Sequence, residues 1–228
     1  MRKTWTIAEL TVRDVLRRRG VIVLMLLLPT AFYLLRHNDS PGQSVRLLCL
    51  GLSWGVSTAG LFVAASARAV EPRLRLSGYA TAQLYLGRLC ALWTLGFALL
   101  VPFAVVVRFD HPWMRPAGIV LAMAFCVLIG APLGLLIGGL LPRELEGMLL
   151  LLIVCALQMM VNPDDLLMEM LPLWSSREIG IWAVDEPDDL GYLLRGVAAG
   201  VAWTIALVGL VGGVSAVRLR RRAHVRAL

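Results

Sequence analysis

A run of about 20 apolar residues is long enough to cross the ~30 Å hydrocarbon core of a bilayer as a helix, and a chain with several such runs has few other ways to fold. Six are legible here: residues 20–35, 47–65, 89–107, 117–141, 147–161 and 191–217, the first and fifth being short. In lipid the backbone must satisfy its own hydrogen bonds, so each run is expected as a helix. The expected fold class is therefore an all-α integral membrane protein with six transmembrane helices. Composition agrees, since 59% of residues are hydrophobic and 16% charged, with a mean hydropathy of +0.77, where a soluble domain carries about a quarter charged residues. No stretch between the runs is long enough for a separate soluble domain.

The flanking segments divide the chain further. Residues 1–19 are expected as an amphipathic interfacial helix. Thr6-Ile7-Ala8-Glu9 has the form of a capping box, and Ala8, Val12, Val15 and Leu16 fall opposite Arg13, Asp14, Arg17 and Arg18. Those charges interrupt any early apolar core, so the first span should stay attached and not be cleaved as a signal. Residues 20–217 form the transmembrane domain and 218–228 a basic cytoplasmic tail. Pro41-Gly42 reads as a turn, Pro102 as an interruption of the third span, and Asn162-Pro163 as the break after the fifth. Residues 162–190 mix acids with Leu, Ile and Trp, as an extracellular amphipathic segment would: either two short helices at the outer leaflet or a loop of helical turns packed over the spans. Trp5, Trp113, Trp174 and Trp182 are candidate interfacial anchors. In the fourth span Gly130, Gly134 and Gly138 make two successive G-x-x-x-G steps around Pro132, a spacing that lets another helix approach closely, first of all within the same chain.

Charge sets the orientation. With both termini inside, 16 of the 22 Lys and Arg fall on the inner side, and ten of the 15 acids fall outside. This is the positive-inside pattern of a multi-pass protein of an inner or plasma membrane with cytoplasmic termini. The formal charge of +7 is thereby a topology signal, and nucleic acid is not called for as a partner.

The runs hold almost no ionisable side chains, which speaks against a proton relay or a mid-membrane catalytic pocket. Cys49, Cys90, Cys126 and Cys155 lie in or beside different apolar runs without metal-ligand spacing, and His37, His111 and His224 fall outside the spans. The chain is on this basis expected to hold no catalytic site, metal or cofactor. It also lacks a G-x-x-x-x-G-K-[ST] phosphate loop, so any ATP-driven work needs a separate motor. The place for a motor to push is the organising connection 66–88, which sets Arg68, Glu71, Arg73, Arg75 and Arg88 between the second and third spans.

The six-span plan, the N-terminal surface helix and the amphipathic segment before the last span, together with Glu71-Pro72-Arg73-Leu74-Arg75-Leu76-Ser77-Gly78-Tyr79 and Tyr85-Leu86-Gly87-Arg88, resemble the membrane subunit of ABC-2 type export permeases. The connection is shorter than usual in that family, and Gly78 stands where many relatives have proline. The resemblance implies a coupling helix around 71–79 that docks on a nucleotide-binding subunit, with Glu71, Arg73, Leu74, Arg75, Leu76 and Tyr79 at the contact. Arg143 and Glu144 would make a second, smaller contact. It further implies two cytosolic ATPase subunits binding ATP and Mg, and a second copy of the chain or a related permease as partner in the bilayer. A hydrophobic or amphipathic cargo is expected, such as a lipid-like molecule, drug or natural product. Polysaccharide export, and a non-transporting anchor or signalling subunit of a cytosolic ATPase, are the alternatives.

Overall fold

The computed structural model describes residues 2–37, 40–160, 169–185 and 188–221, and the regular structure among them is entirely helical. Among these residues eight helices follow in order: α1 (Arg2–Arg17), α2 (Arg19–Leu35), α3 (Pro41–Leu76), α4 (Thr81–Asp110), α5 (Pro116–Leu140), α6 (Glu144–Met160), α7 (Trp174–Val184) and α8 (Leu190–Arg221). Four of them, α3, α4, α5 and α8, are each long and apolar enough to cross a membrane, and α1 with α2, bent by 80° at their junction, makes a fifth if the pair is counted as one span. Helices α2 and α6 have 17 residues each, about 25 Å at 1.5 Å per residue. The expectation of six crossings thus becomes four to five candidate spans among the described residues.

Helix α3 is the axis. Its most apolar window is 83% buried, against 67% for α5, 33% for α4 and 17% for α8. Small side chains explain this position, because Gly51, Ser53, Gly55, Ser57, Ala59 and Gly60 leave a thin helix that neighbours approach backbone to backbone. A β-carbon on Gly51 would stand 2.8 Å from Pro29 Cα of α2, and one on Gly134 of α5 would collide with Ser57 O of α3. Around this seam Leu48, Leu52, Val56, Leu92, Met123 and Ile129 are almost completely buried. Away from it Val23, Leu27, Val101, Val105, Ile205 and Leu210 point outward and stay exposed. An exposed apolar belt on so well packed a bundle is what a bilayer, and not water, accommodates.

Several local expectations change. Helix α1 begins at Arg2, so Thr6 and Glu9 lie inside it and do not cap it; Glu9 accepts from Arg13 one turn on, at 2.6 Å. Pro41 is the first residue of α3, where its missing N–H costs nothing, and does not form a turn. Helix α4 runs through Pro102 without interruption. The connection 66–88 is not a separate loop, since α3 continues to Leu76 and α4 starts at Thr81. The turn between them is a Schellman cap: Gly78 takes φ +78°, its N–H donates to Arg75 O (3.0 Å) and Tyr79 N–H to Leu74 O (3.1 Å). Of the segment 162–190, α7 packs against α5 and α8, with Ile179 and Ala183 buried, while 162–168, 186 and 187 lie outside the described residues, as do Val161 and 222–228.

The bundle has two rims. One, the basic rim, gathers the end of α3, the start of α4, the α5–α6 turn and α1, whose Lys3 donates to Gly78 O (3.0 Å). The opposite, distal rim gathers the ends of α2 and α4, the starts of α3 and α5, and α7.

Candidate functional site

At the distal rim three metal-ligating side chains converge. His37 follows the last turn of α2, Asp110 is the last residue of α4, and His111 caps α4 with its N–H on Val107 O (2.9 Å). Their ligand atoms all lie within 4.8 Å of one another. Tyr33, one turn before His37, donates its phenol to Asp110 Oδ2. His37 Nδ1 stands 3.3 Å from the same oxygen, without the geometry of a hydrogen bond. His111 is only 8% exposed, and its buried Nε2 has no hydrogen-bond partner. The rings of His37 and His111 are 5.8 Å apart, and exposed Trp113 meets His111 edge-on at 6.1 Å.

The chemistry of this set favours a cation. Two imidazoles and one carboxylate are a donor set for first-row transition metals. Both α2 and α4 also end here, bringing the negative ends of two helix dipoles. The expectation that the chain has no metal, cofactor or catalytic site is corrected by this cluster. Neither histidine signals it alone: His37 and His111 are 74 positions apart in the chain, and reading the spans for polar residues at mid-membrane depth passes over both. The available signal was topological, because both follow runs that emerge on the same side.

Next to the cluster along the distal rim, a cavity of about 390 Å³ opens between α2, α3, α6 and α7. Leu35, Leu47 and Leu50 give it apolar walls, and Arg36, Arg46 and Arg177 give it cations. Arg46 is held by Asp185, and Arg177 lies 3.8 Å from Glu178. Glu178 itself is buried, and burial pushes its carboxyl above the ordinary value despite Arg195 at 3.5 Å and Arg177, which both lower it.

The residues expected at a motor contact lie at the basic rim. Arg73, Arg75 and Leu76 are exposed, Leu74 and Tyr79 are half-buried, and Tyr79 lies under Lys3 Nζ at 5.3 Å. Arg75 donates to Thr81 across the turn. Glu71 is 4% exposed and pairs with Arg88 at 2.5 Å, tying the end of α3 to the start of α4. Arg143 in the α5–α6 turn and Glu144 at the start of α6 are exposed, beside Leu145 at 79%. Arg68 ties α3 to the α5–α6 turn, donating to Pro142 O (2.6 Å) and to the carbonyls of Gly138 and Leu141 at the end of α5. That is a cation capping a helix C-terminus.

The glycines of the fourth apolar run and the candidate interfacial tryptophans lie elsewhere in the bundle. Gly130, Gly134 and Gly138 face Ser53, Ser57 and Leu61 of α3. Trp5 and Trp113 are exposed, Trp174 is half-buried, and Trp182 is half-buried under the Arg115 guanidinium at 5.0 Å.

Neither a protein-family model nor a curated protein matches this chain. Its all-helical, multi-span bundle is that of an integral membrane protein in the general sense.

Proposed function

We propose that this chain is the membrane subunit of an exporter of the ABC-2 permease type, driven from the basic rim by a separate nucleotide-binding subunit. The cargo proposed is a hydrophobic or amphipathic compound. The observation that carries the reading is the single helix α3. It runs unbroken from Pro41 at the distal rim to Leu76 at the basic rim, about 54 Å at 1.5 Å per residue, longer than the ~30 Å hydrocarbon core. A push on Arg73, Arg75 and Leu76 would act on one continuous helix. Arg68 would carry the same push to the α5–α6 turn, and the Glu71–Arg88 pair would carry it to α4. At the far end of the helix Arg46 and Leu47 line the cavity, whose cations and leucines suit an amphiphile with an acidic head. A volume of about 390 Å³ is within the usual range for small-molecule sites.

In this reading two such chains, or one with a related permease, pair in the bilayer above two ATPase subunits, and all six apolar runs are embedded. The test is ATP-dependent release of a fluorescent acidic amphiphile from vesicles reconstituted with the chain and its copurifying ATPase. Arg73→Glu with Arg75→Glu should abolish release, a loss of at least about tenfold, with the bundle still folded by thermal unfolding. Undiminished release would remove the coupling assignment. Copurification without any release would make the chain an anchor instead.

A further inference from the structure

We propose that His37, Asp110 and His111 form a divalent transition-metal site that staples the distal end of α2 to that of α4. The proposal does not depend on transport. A hydrogen-bonded cluster without a metal would leave each member satisfied, and this one does not. Tyr33 and Asp110 satisfy one another, but His111 Nε2 is buried with nothing to bond. An unpaired buried polar atom carries a desolvation penalty, and a metal ion bound at the imidazole would remove it.

Zinc with imidazole and carboxylate ligands has bonds of about 2.0–2.2 Å, which sets tetrahedral ligand atoms about 3.4 Å apart. The distance from His37 Nδ1 to Asp110 Oδ2 is already 3.3 Å, and the full set lies within 4.8 Å. The donor set contains no thiolate and one carboxylate, so it fits Zn²⁺, Co²⁺, Ni²⁺ or Fe²⁺ better than Ca²⁺ or Mg²⁺, which take oxygen ligands. Three protein donors leave a fourth position for water or an outside ligand, as in open zinc sites. Tyr33 is a positioning residue: its phenol holds the carboxylate and does not itself need to touch the ion.

Apart from the Tyr33 hydrogen bond to Asp110, the ends of α2 and α4 have little to join them. His37 lies beyond the last turn of α2 and Asp110 ends α4, so an ion there ties the helix that flanks the cavity through Leu35 to one that lies outside it. Occupancy would therefore fix the distal rim.

The experiment uses the full chain, purified in detergent through a tag without histidines, stripped of metal and titrated with Zn²⁺ and, separately, Co²⁺. The wild type should bind one Zn²⁺ saturably, and its unfolding midpoint should rise with Zn²⁺. Its Co²⁺ spectrum should show nitrogen and oxygen ligation without a thiolate charge-transfer band. His37→Ala, at a half-exposed position, and His111→Ala should each bind at least about tenfold more weakly and lose the Zn²⁺-dependent rise. Tyr33→Phe should weaken binding about tenfold while keeping the same Co²⁺ spectrum. Wild-type affinity in His37→Ala, a thiolate band, or no saturable binding by the wild type would each overturn the site.

Discussion

Glu178 shows how the distal rim treats a single charge. It is buried on α7 between Arg195 and Arg177, and desolvation outweighs both cations, so its carboxyl titrates above the ordinary value. Between the unfolded and folded values the native state holds a proton that the unfolded chain has released. Stability is then greatest below the ordinary carboxylate range and falls as pH rises through the elevated folded value. The unfolding midpoint in detergent should decline across that window in the wild type. Glu178→Gln, neutral throughout, should lack the decline, and an identical pH profile in the variant would show that Glu178 is not its source. The same scale shows what single residues conceal. Arg68, Arg73, Arg75 and Arg88 look alike in the sequence as basic residues of one connection. In the fold Arg68 caps α5 and Arg88 pairs with buried Glu71, whereas Arg73 and Arg75 stay exposed at the rim. His37 and the Asp110-His111 pair are equally undistinguished until two helix ends bring them together. Local pattern carries no record of such long-range meetings.

Helix existence was legible because each apolar run reports its own burial, but helix ends were set by forces outside the run. Proline alone does not end a helix here, as Pro102 inside α4 shows. Pro72 likewise lies within α3, directly after Glu71, which is fastened to Arg88, and one turn after Arg68, which is fastened to the carbonyls at the end of α5. With tertiary ties so close, the loss of one backbone bond does not end the helix. What ends it is Ser77-Gly78, more than a turn later, through the left-handed glycine of the Schellman cap. The seam between α3 and α5 is more exacting than any end. Gly134→Ala would drive a methyl group into the Ser57 carbonyl, and overpacking of this kind costs about 3 kcal/mol. Gly209→Ala, with nothing within 4 Å of the added carbon, should instead be neutral or slightly stabilising, by up to about 1 kcal/mol. Thermal or denaturant unfolding in the same detergent compares them, and equal stabilities would mean the two helices do not meet at Gly134.

On the scale of the molecule, the strongly apolar belt separates a basic rim, made of two short turns braced by Arg68 and the Glu71–Arg88 pair, from a distal rim that holds the cavity and the histidine–aspartate cluster. The belt and the charge asymmetry were both readable from the chain. The count of crossings was not, because α2 and α6 are near the minimum length and α1 meets α2 at 80°. Everything proposed about a cytosolic motor requires that the two rims lie on opposite sides of a bilayer and that the α3–α4 turn is on the inner side. Single cysteines replacing Ser77 in that turn and Trp113 at the distal rim, in a background without the native cysteines, can be labelled in intact cells with a membrane-impermeant maleimide. Trp113→Cys should react from outside and Ser77→Cys only after the cells are opened. Labelling of Ser77→Cys in intact cells, or of both from the same side, would contradict the proposed orientation and with it the coupling of this chain to a cytosolic ATPase.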